Sequence, residues 1–326
     1  MPTAFVTGGS GFIGGALIRR LTREGWTVRA LARSESSERK VREAGAEPVR
    51  GDVEDAASMR AGAEGCEYAF HAAAMVGDWG TRDEFERLNV AGTQNALNAC
   101  AQAGVRRFVH VGTEAGLLAG QPLVNANESA RLRPDSPALY SSTKAKAEQA
   151  VRDANRDGGF ETVVIRPRLV WGPGDTGVLP SILDAIRGGQ FRWIGGGRHR
   201  TATTHVDNTV EGLVLGAMRG RPGGVYFVTD GDPVVFRDFV TELVGTQGVE
   251  PPQSELPAGV ARAVAATAET AWRVLPLKGR PPITRFAVWV TSQECTIDIS
   301  RARDELDYEP VKTREEGLAE LRAEAA

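Results

Sequence analysis

The sequence predicts a doubly wound, parallel α/β sheet of the Rossmann type, followed by a smaller, discontinuous C-terminal region. Three observations carry this reading. Short β-branched runs alternate with helical stretches across the first half of the chain. The first run, Ala4-Phe5-Val6-Thr7, leads directly into a glycine-rich turn and an amphipathic helix. After Arg166-Pro167 the alternation loosens into glycine- and proline-rich segments of the kind that form loops over a ligand.

Taken in order, the apolar runs place strands at 3–7, 27–32, 47–50, 68–72, 107–112 and 161–166. Between them the spacing predicts helices at about 12–24, 36–44, 55–63, 84–103 and 139–157, each ended by glycine or a polar turn. Val225-Tyr226-Phe227-Val228 reads as a seventh strand, and His205-Val206-Asp207-Asn208 as part of the same return to the main sheet. The expected division is therefore a nucleotide-binding unit over 1–167, with 201–229 returning to it, and a substrate-binding region over 168–200 and 230–326. Between Leu256 and Leu277, the residues Val260, Val264, Ala268, Ala271, Val274 and Leu275 fall near helical spacing. The expectation is a helix that packs these residues on the substrate region, with a lipid-touching surface helix as the sharper alternative.

Composition bounds the function. The 326 residues suffice for one large α/β unit with an appendage, and a net charge of -3 without a Lys/Arg block speaks against nucleic acid as a partner. Cys66, Cys100 and Cys295 have no CxxC or Cys/His spacing, which predicts reduced thiols and no metal site. No apolar run is long enough to span a bilayer, and Met1-Pro2 runs straight into the first strand. The expectation is a cytoplasmic protein with a small-molecule substrate and no transmembrane segment; a homodimer is left open.

The turn Gly8-Gly9-Ser10-Gly11-Phe12-Ile13-Gly14 satisfies GxxGxxG and GxGxxG together. Glycine is needed where the backbone turns tightly, approaches a pyrophosphate, and lets the next helix pack on the sheet. The helix that follows points its free N–H groups and positive dipole end at the phosphates. Tyr140-Ser141-Ser142-Thr143-Lys144 then places a phenol and an ammonium on one helix face at i and i+4. A cation beside the phenol, with an oxidised nicotinamide nearby, is expected to lower the tyrosine pKa toward working pH. Tyr140 then exchanges a proton with a substrate hydroxyl or carbonyl. Thr113, just past the strand 107–112, is placed to hold the substrate oxygen against Tyr140, and Glu114 beside it is a candidate second acid/base.

Together these residues resemble the extended short-chain dehydrogenase/reductase superfamily, also called the NAD-dependent epimerase/dehydratase superfamily, across nearly the whole chain. Further motifs carry the resemblance: Gly51-Asp52, His71-Ala72-Ala73-Ala74, Asn89-Val90-Ala91-Gly92-Thr93, Arg166-Pro167 with Trp171-Gly172-Pro173-Gly174, and His205-Val206-Asp207. The resemblance implies Thr113, Tyr140 and Lys144 as catalytic residues. It also implies cofactor contacts from the glycine turn, Asp52, Val53, Ala72, Ala73, Tyr140, Lys144 and Pro167, and support of the central helix by Asn89 and Thr93. Met75-Val76-Gly77-Asp78-Trp79, Tyr226 to Pro233, and the tail from Ile297 to Pro310 resemble the 3β-hydroxysteroid dehydrogenase and dihydroflavonol reductase-like branch.

Two departures refine the expectation. The second strand ends Ala32-Arg33-Ser34 without the acid that usually bonds an NAD ribose, so Arg33 is the candidate for a 2'-phosphate. NADP(H) is favoured, and NAD(H) stays open. Nucleotide-sugar members commonly carry a diphosphate-binding arginine ahead of the VD motif, and here that position is Thr201, although Arg198 and Arg200 are near. Met75, Trp79, Glu114, Leu169 and Trp171 are the candidate substrate residues; the apolar ones, with Leu117 and Leu118, suit a moderately apolar, steroid- or flavonoid-like substrate. The expected function is hydride transfer between nicotinamide and a secondary alcohol or ketone. The alternatives are a nucleotide-sugar 4-epimerase or dehydratase, and a non-catalytic NADP(H)-sensing regulator.

Overall fold

The computed structural model describes residues 1–275 and 277–325. Seven strands form one sheet in the order Gly224–Val228, Glu161–Pro167, Arg107–Val111, Tyr68–His71, Thr3–Thr7, Thr27–Ala32 and Glu47–Arg50, all parallel. The chain runs outward from Thr3–Thr7 to one edge and then returns to build the other side from Tyr68–His71. That reversal leaves a crevice beyond the carboxyl ends of these two strands, the position where open α/β sheets bind ligands.

Strand alternation decides what each face buries. Val6, Phe70, Val109 and Ile165 pack with Leu17, Ile18 and Leu21 of the helix Phe12–Arg23 and with Val210 and Leu213 of the helix Val206–Arg219. Their sequence neighbours Phe5, Ala69, Phe108 and Val164 pack on the opposite face with Met59, Leu97, Cys100 and Val151. With both faces covered, the strands are nearly continuous apolar runs, as a buried parallel sheet requires.

The smaller region has its own four-stranded sheet, in the order Val234–Val235, Arg200–Thr201, Cys295–Ile297 and Leu123–Ala126. The last strand arises inside the first half of the chain and was not expected there. A third core gathers Trp171, Trp193, Phe236, Phe239 and Leu243. Asp230 ties this region to the main sheet: its carboxylate accepts from Trp171 Nε1 at 2.8 Å, Thr203 Oγ1 at 2.7 Å and Asn208 Nδ2 at 2.7 Å.

Two helices differ from expectation. The segment expected as one helix over 84–103 is divided into an α-helix Arg82–Phe85, a π-helical stretch Glu86–Ala91 and an α-helix Gly92–Gln102. The widened turn contains the buried Asn89, whose amide is committed outside the helix. The helix Ala258–Val274 buries Ala261, Ala265 and Glu269, whereas Val260, Val264, Val274 and Leu275 are exposed. Small alanines allow close approach, and Glu269 is held by Arg285 at 2.9 Å, so the packing face is not the valine face expected. Among the described residues, no helix is long and apolar enough to cross a membrane.

Candidate active site

At the crevice, Gly8 adopts φ 73°, and a Cβ there would stand 2.6 Å from Ala73 N and 2.7 Å from the Ala72 carbonyl carbon. The first turn is thereby packed directly against the end of Tyr68–His71. A Cβ on Gly14 would stand 2.2 Å from Gly8 O, so the helix needs glycine to approach the turn. Gly11 differs, because its Cβ would meet only Gly8 O within 4 Å, at 3.2 Å. Its side is open. The helix Phe12–Arg23 receives no side-chain cap at Gly11 and leaves its first N–H groups for an anion. These features fit a dinucleotide pyrophosphate.

The floor beneath the turn is a neutral histidine pair. His71 Nδ1 lies 2.7 Å from Thr7 Oγ1 and its Nε2 lies 3.0 Å from Thr93 Oγ1. His110 stacks on it with ring centroids 5.5 Å apart. Burial, reinforced by the Lys144 charge, pushes His71 down to about 3 and His110 well below its ordinary range. Both rings therefore act as uncharged struts between strands and helix.

The helix Leu139–Asp153 carries Tyr140 at its start and Lys144 one turn later. Lys144 is buried; its Nζ donates to Val111 O at 2.9 Å and lies 3.5 Å from His110 Nε2. Burial lowers its pKa to about 8, against the opposing pull of Glu148. Glu148 is itself paired with the buried Arg166, Arg166 Nε donating to its Oε2 at 2.9 Å.

In the chain by itself the Tyr140 phenol is pushed up, first by burial and then by the Glu114 charge, with the neighbouring Thr113 hydroxyl pulling the other way. Phe286, from the helix Arg285–Ser292, meets the Tyr140 ring edge-on at 5.5 Å.

Thr113 Oγ1 donates to Glu114 Oε2 at 2.8 Å and accepts from Ala115 N at 3.2 Å. Glu114 is buried against Arg168, whose Nη1 donates to Glu114 Oε1 at 2.8 Å. Arg168 Nη2 lies 3.5 Å from Thr201 Oγ1.

Other candidates divide by position. The backbone of Met75 is clamped by Asn89, and Asp78 accepts from Thr284 Oγ1 at 2.8 Å. Trp79 carries Arg273 5.0 Å over its ring, so the loop at 74–80 is braced by the far C-terminal region. Asp52 accepts from Glu54 N at 3.2 Å in the turn after Glu47–Arg50, and Val53 O accepts from Asn95 Nδ2 at 3.1 Å. Arg33 stands exposed just past the end of Thr27–Ala32, and Pro167 ends its strand in pairing with Val228.

Trp171 leaves the candidate substrate lining. It is wholly buried in the third core, edge-on to Phe239 at 5.3 Å and bonded to Asp230. Leu169, at φ 45°, packs against the same core, and Leu117 and Leu118 belong to the main one. Sequence reasoning passed over Arg168 and Phe286. Arg168 directly follows the Arg166-Pro167 motif, but nothing local ties it to Glu114, and Phe286 sits in a stretch without a motif.

The chain is similar to known proteins in sequence and in fold. Residues 5–258 match the model of the 3-beta hydroxysteroid dehydrogenase/isomerase family. The chain is 46% identical over 318 residues to the 4-hydroxy-2-methyl-3-oxo-4-farnesyl-3,4-dihydroquinoline-1-oxide ketoreductase of Stigmatella aurantiaca, covering 98% of this chain and 95% of that protein. It is 35% identical over 333 residues to the 2-alkyl-3-oxoalkanoate reductase of Stenotrophomonas maltophilia, covering 98% of each. The crystal structure of gox2253 superposes with a TM-score of 0.80 at 27% identity, covering 99% of both chains.

Proposed function

Because the chain belongs to the 3-beta hydroxysteroid dehydrogenase/isomerase family, and is an extended short-chain oxidoreductase of hydroxyl or keto substrates, we propose that it reduces a ketone on a moderately apolar ring or alkyl framework with NADP(H). The observation that carries this reading is the placement of Tyr140 and Thr113 at the carboxyl edge of the sheet, on the same crevice as the open glycine turn. The nicotinamide supplies or accepts the hydride when bound. The glycine turn and the start of the helix Phe12–Arg23 hold the pyrophosphate, and Arg33 reaches for a 2'-phosphate.

Tyr140 is the proton donor in this reading. Its phenol is protonated at working pH and can deliver that proton as charge develops on the carbonyl oxygen. Lys144 orients the cofactor ribose from the same helix. Phe286, edge-on to the Tyr140 ring at 5.5 Å, belongs to the substrate side in this reading.

The apolar substrate class is favoured over a nucleotide sugar. Thr201 is buried, while Arg198 and Arg200 are exposed and engaged with Glu255 and with Pro233 O. The keto substrates in the names of the two relatives point the same way. The test is a panel of steroid, flavonoid, 2-alkyl-3-oxoalkanoate and UDP-sugar substrates with NADPH and NADH. Turnover of an apolar ketone with NADPH is expected, and efficient conversion of the UDP-sugar instead would overturn the reading.

A further inference from the structure

The helix Ala258–Val274 turns two unlike faces in opposite directions. Ala261 and Ala265 are buried in a cluster with Ile194 and Val288, and Glu269 is committed to Arg285. On the other side Val260, Val264, Ala271 and Val274 recur at intervals of four, seven and three residues, which keeps them on one face. The three valines, with Leu275 and Leu277 just beyond the helix, are 43% to 75% exposed. A contiguous apolar face of this kind marks a surface that something covers.

The charge around the face identifies its occupant. Residues 256–293 hold five Lys and Arg and one acid, in a chain whose net charge is -3. The acid is Glu269, and it answers Arg285. Arg262, Arg273, Lys278 and Arg280 are exposed and, among the described residues, pair with no carboxylate. Apolar side chains flanked by unpaired cations match the boundary of an anionic bilayer, where valine and leucine enter the upper acyl region and long basic side chains reach the phosphates. A second copy of the chain is a poorer fit. Two-fold pairing through this face would set the same cations against each other with no free acid between them.

The face is tied to the Tyr140 side of the crevice. Arg273 lies 5.0 Å over the Trp79 ring, and Thr284 Oγ1 donates to Asp78 at 2.8 Å. The helix Arg285–Ser292 that begins there carries Phe286 against Tyr140. Val76, in the same loop as Asp78 and Trp79, is 75% exposed. We propose that the valine face of Ala258–Val274, with Leu275, Leu277 and the cations beside them, docks the enzyme on an anionic lipid surface and sets the Tyr140 side of the crevice next to it. The helix lies on the bilayer and does not cross it. Docking stands by itself; that it delivers an apolar ketone to Tyr140 rests on the function proposed above.

Flotation of the full chain with vesicles tests this, using phosphatidylcholine alone and phosphatidylcholine mixed with phosphatidylglycerol. Binding is expected only with the mixed vesicles and should fall as salt is raised. Val264→Glu with Val274→Glu, and separately Lys278→Glu with Arg280→Glu, are each expected to weaken it roughly tenfold or more. Melting temperature, and kcat on a panel ketone dissolved in buffer, should stay at wild-type values in both. If the valine pair fails to fold, the Lys278 and Arg280 pair decides alone. A wild type that stays with the lipid-free fraction, equal binding to neutral vesicles, or variants that float like the wild type would overturn the proposal. So would a wild-type dimer that ignores vesicles and is dissociated by the valine pair, since the face then belongs to a second copy. Vesicle binding without turnover of any panel ketone sinks the functional reading and upholds docking, whereas turnover without vesicle binding sinks docking alone.

Discussion

Asn89 grips the backbone of Met75 with both ends of its amide: Oδ1 accepts from Met75 N at 2.7 Å and Nδ2 donates to Met75 O at 3.1 Å. The same Nδ2 lies 3.2 Å from Thr143 Oγ1, between Tyr140 and Lys144 in the helix Leu139–Asp153. One buried side chain thus couples the loop at 74–80 to the helix bearing Tyr140. The π-helical turn is the local distortion that carries this side chain.

Asn89→Leu removes both bonds and leaves two backbone groups of Met75 without partners. The expected loss is about 2 to 4 kcal/mol in urea unfolding, together with a raised KM, because each unsatisfied group costs about 1 to 3 kcal/mol. Wild-type stability and KM would show that the loop is held by other contacts.

Tyr140→Phe should lower turnover by about 100-fold or more, since it deletes the exchangeable proton while keeping the ring against Phe286. NADPH binding, followed by fluorescence, is expected to persist. Near-wild-type kcat on a confirmed substrate would reject Tyr140 as proton donor.

Arg33→Ala should erase most of a preference for NADPH over NADH. A charge-assisted contact with the 2'-phosphate contributes roughly 1.5 to 3 kcal/mol, which corresponds to about a 10- to 150-fold difference in Kd. Equal affinities for the two cofactors in the wild type would count against the assignment.

Lys144 gives a pH signature in stability. Burial lowers it in the folded state to about 8 from an ordinary value of 10.5. Below pH 8 the amine is charged in both states and the folded protein bears the full cost. Between 8 and 10.5 the folded state sheds the proton first while the unfolded state keeps it, so the folded state gains stability as pH rises. Relative to Lys144→Met, the wild type is therefore expected to gain up to about 3 kcal/mol across that window. A stability difference that stays flat from pH 7 to 10 would contradict a buried, charged amine.

The sequence alone determined the seven main-sheet strands in their chain order, the glycine turn, and the Tyr140/Lys144 pair, because each is written in a few neighbouring residues. Strand alternation has period two, a helix face repeats near i+4, and the turn needs glycine at set positions. Only the tertiary structure decided the rest. Glu114 and Arg168 stand 54 residues apart, and their pairing depends on how the strands Arg107–Val111 and Glu161–Pro167 lie side by side. Trp171 looked like a pocket aromatic in its glycine-rich motif, yet Asp230 and Phe239 draw it into a core. The phenol pKa likewise follows from burial and from the Glu114 charge, neither of which the YxxxK spacing contains. Packing and desolvation sum over neighbours distant in sequence, so these properties exist only once the chain has folded.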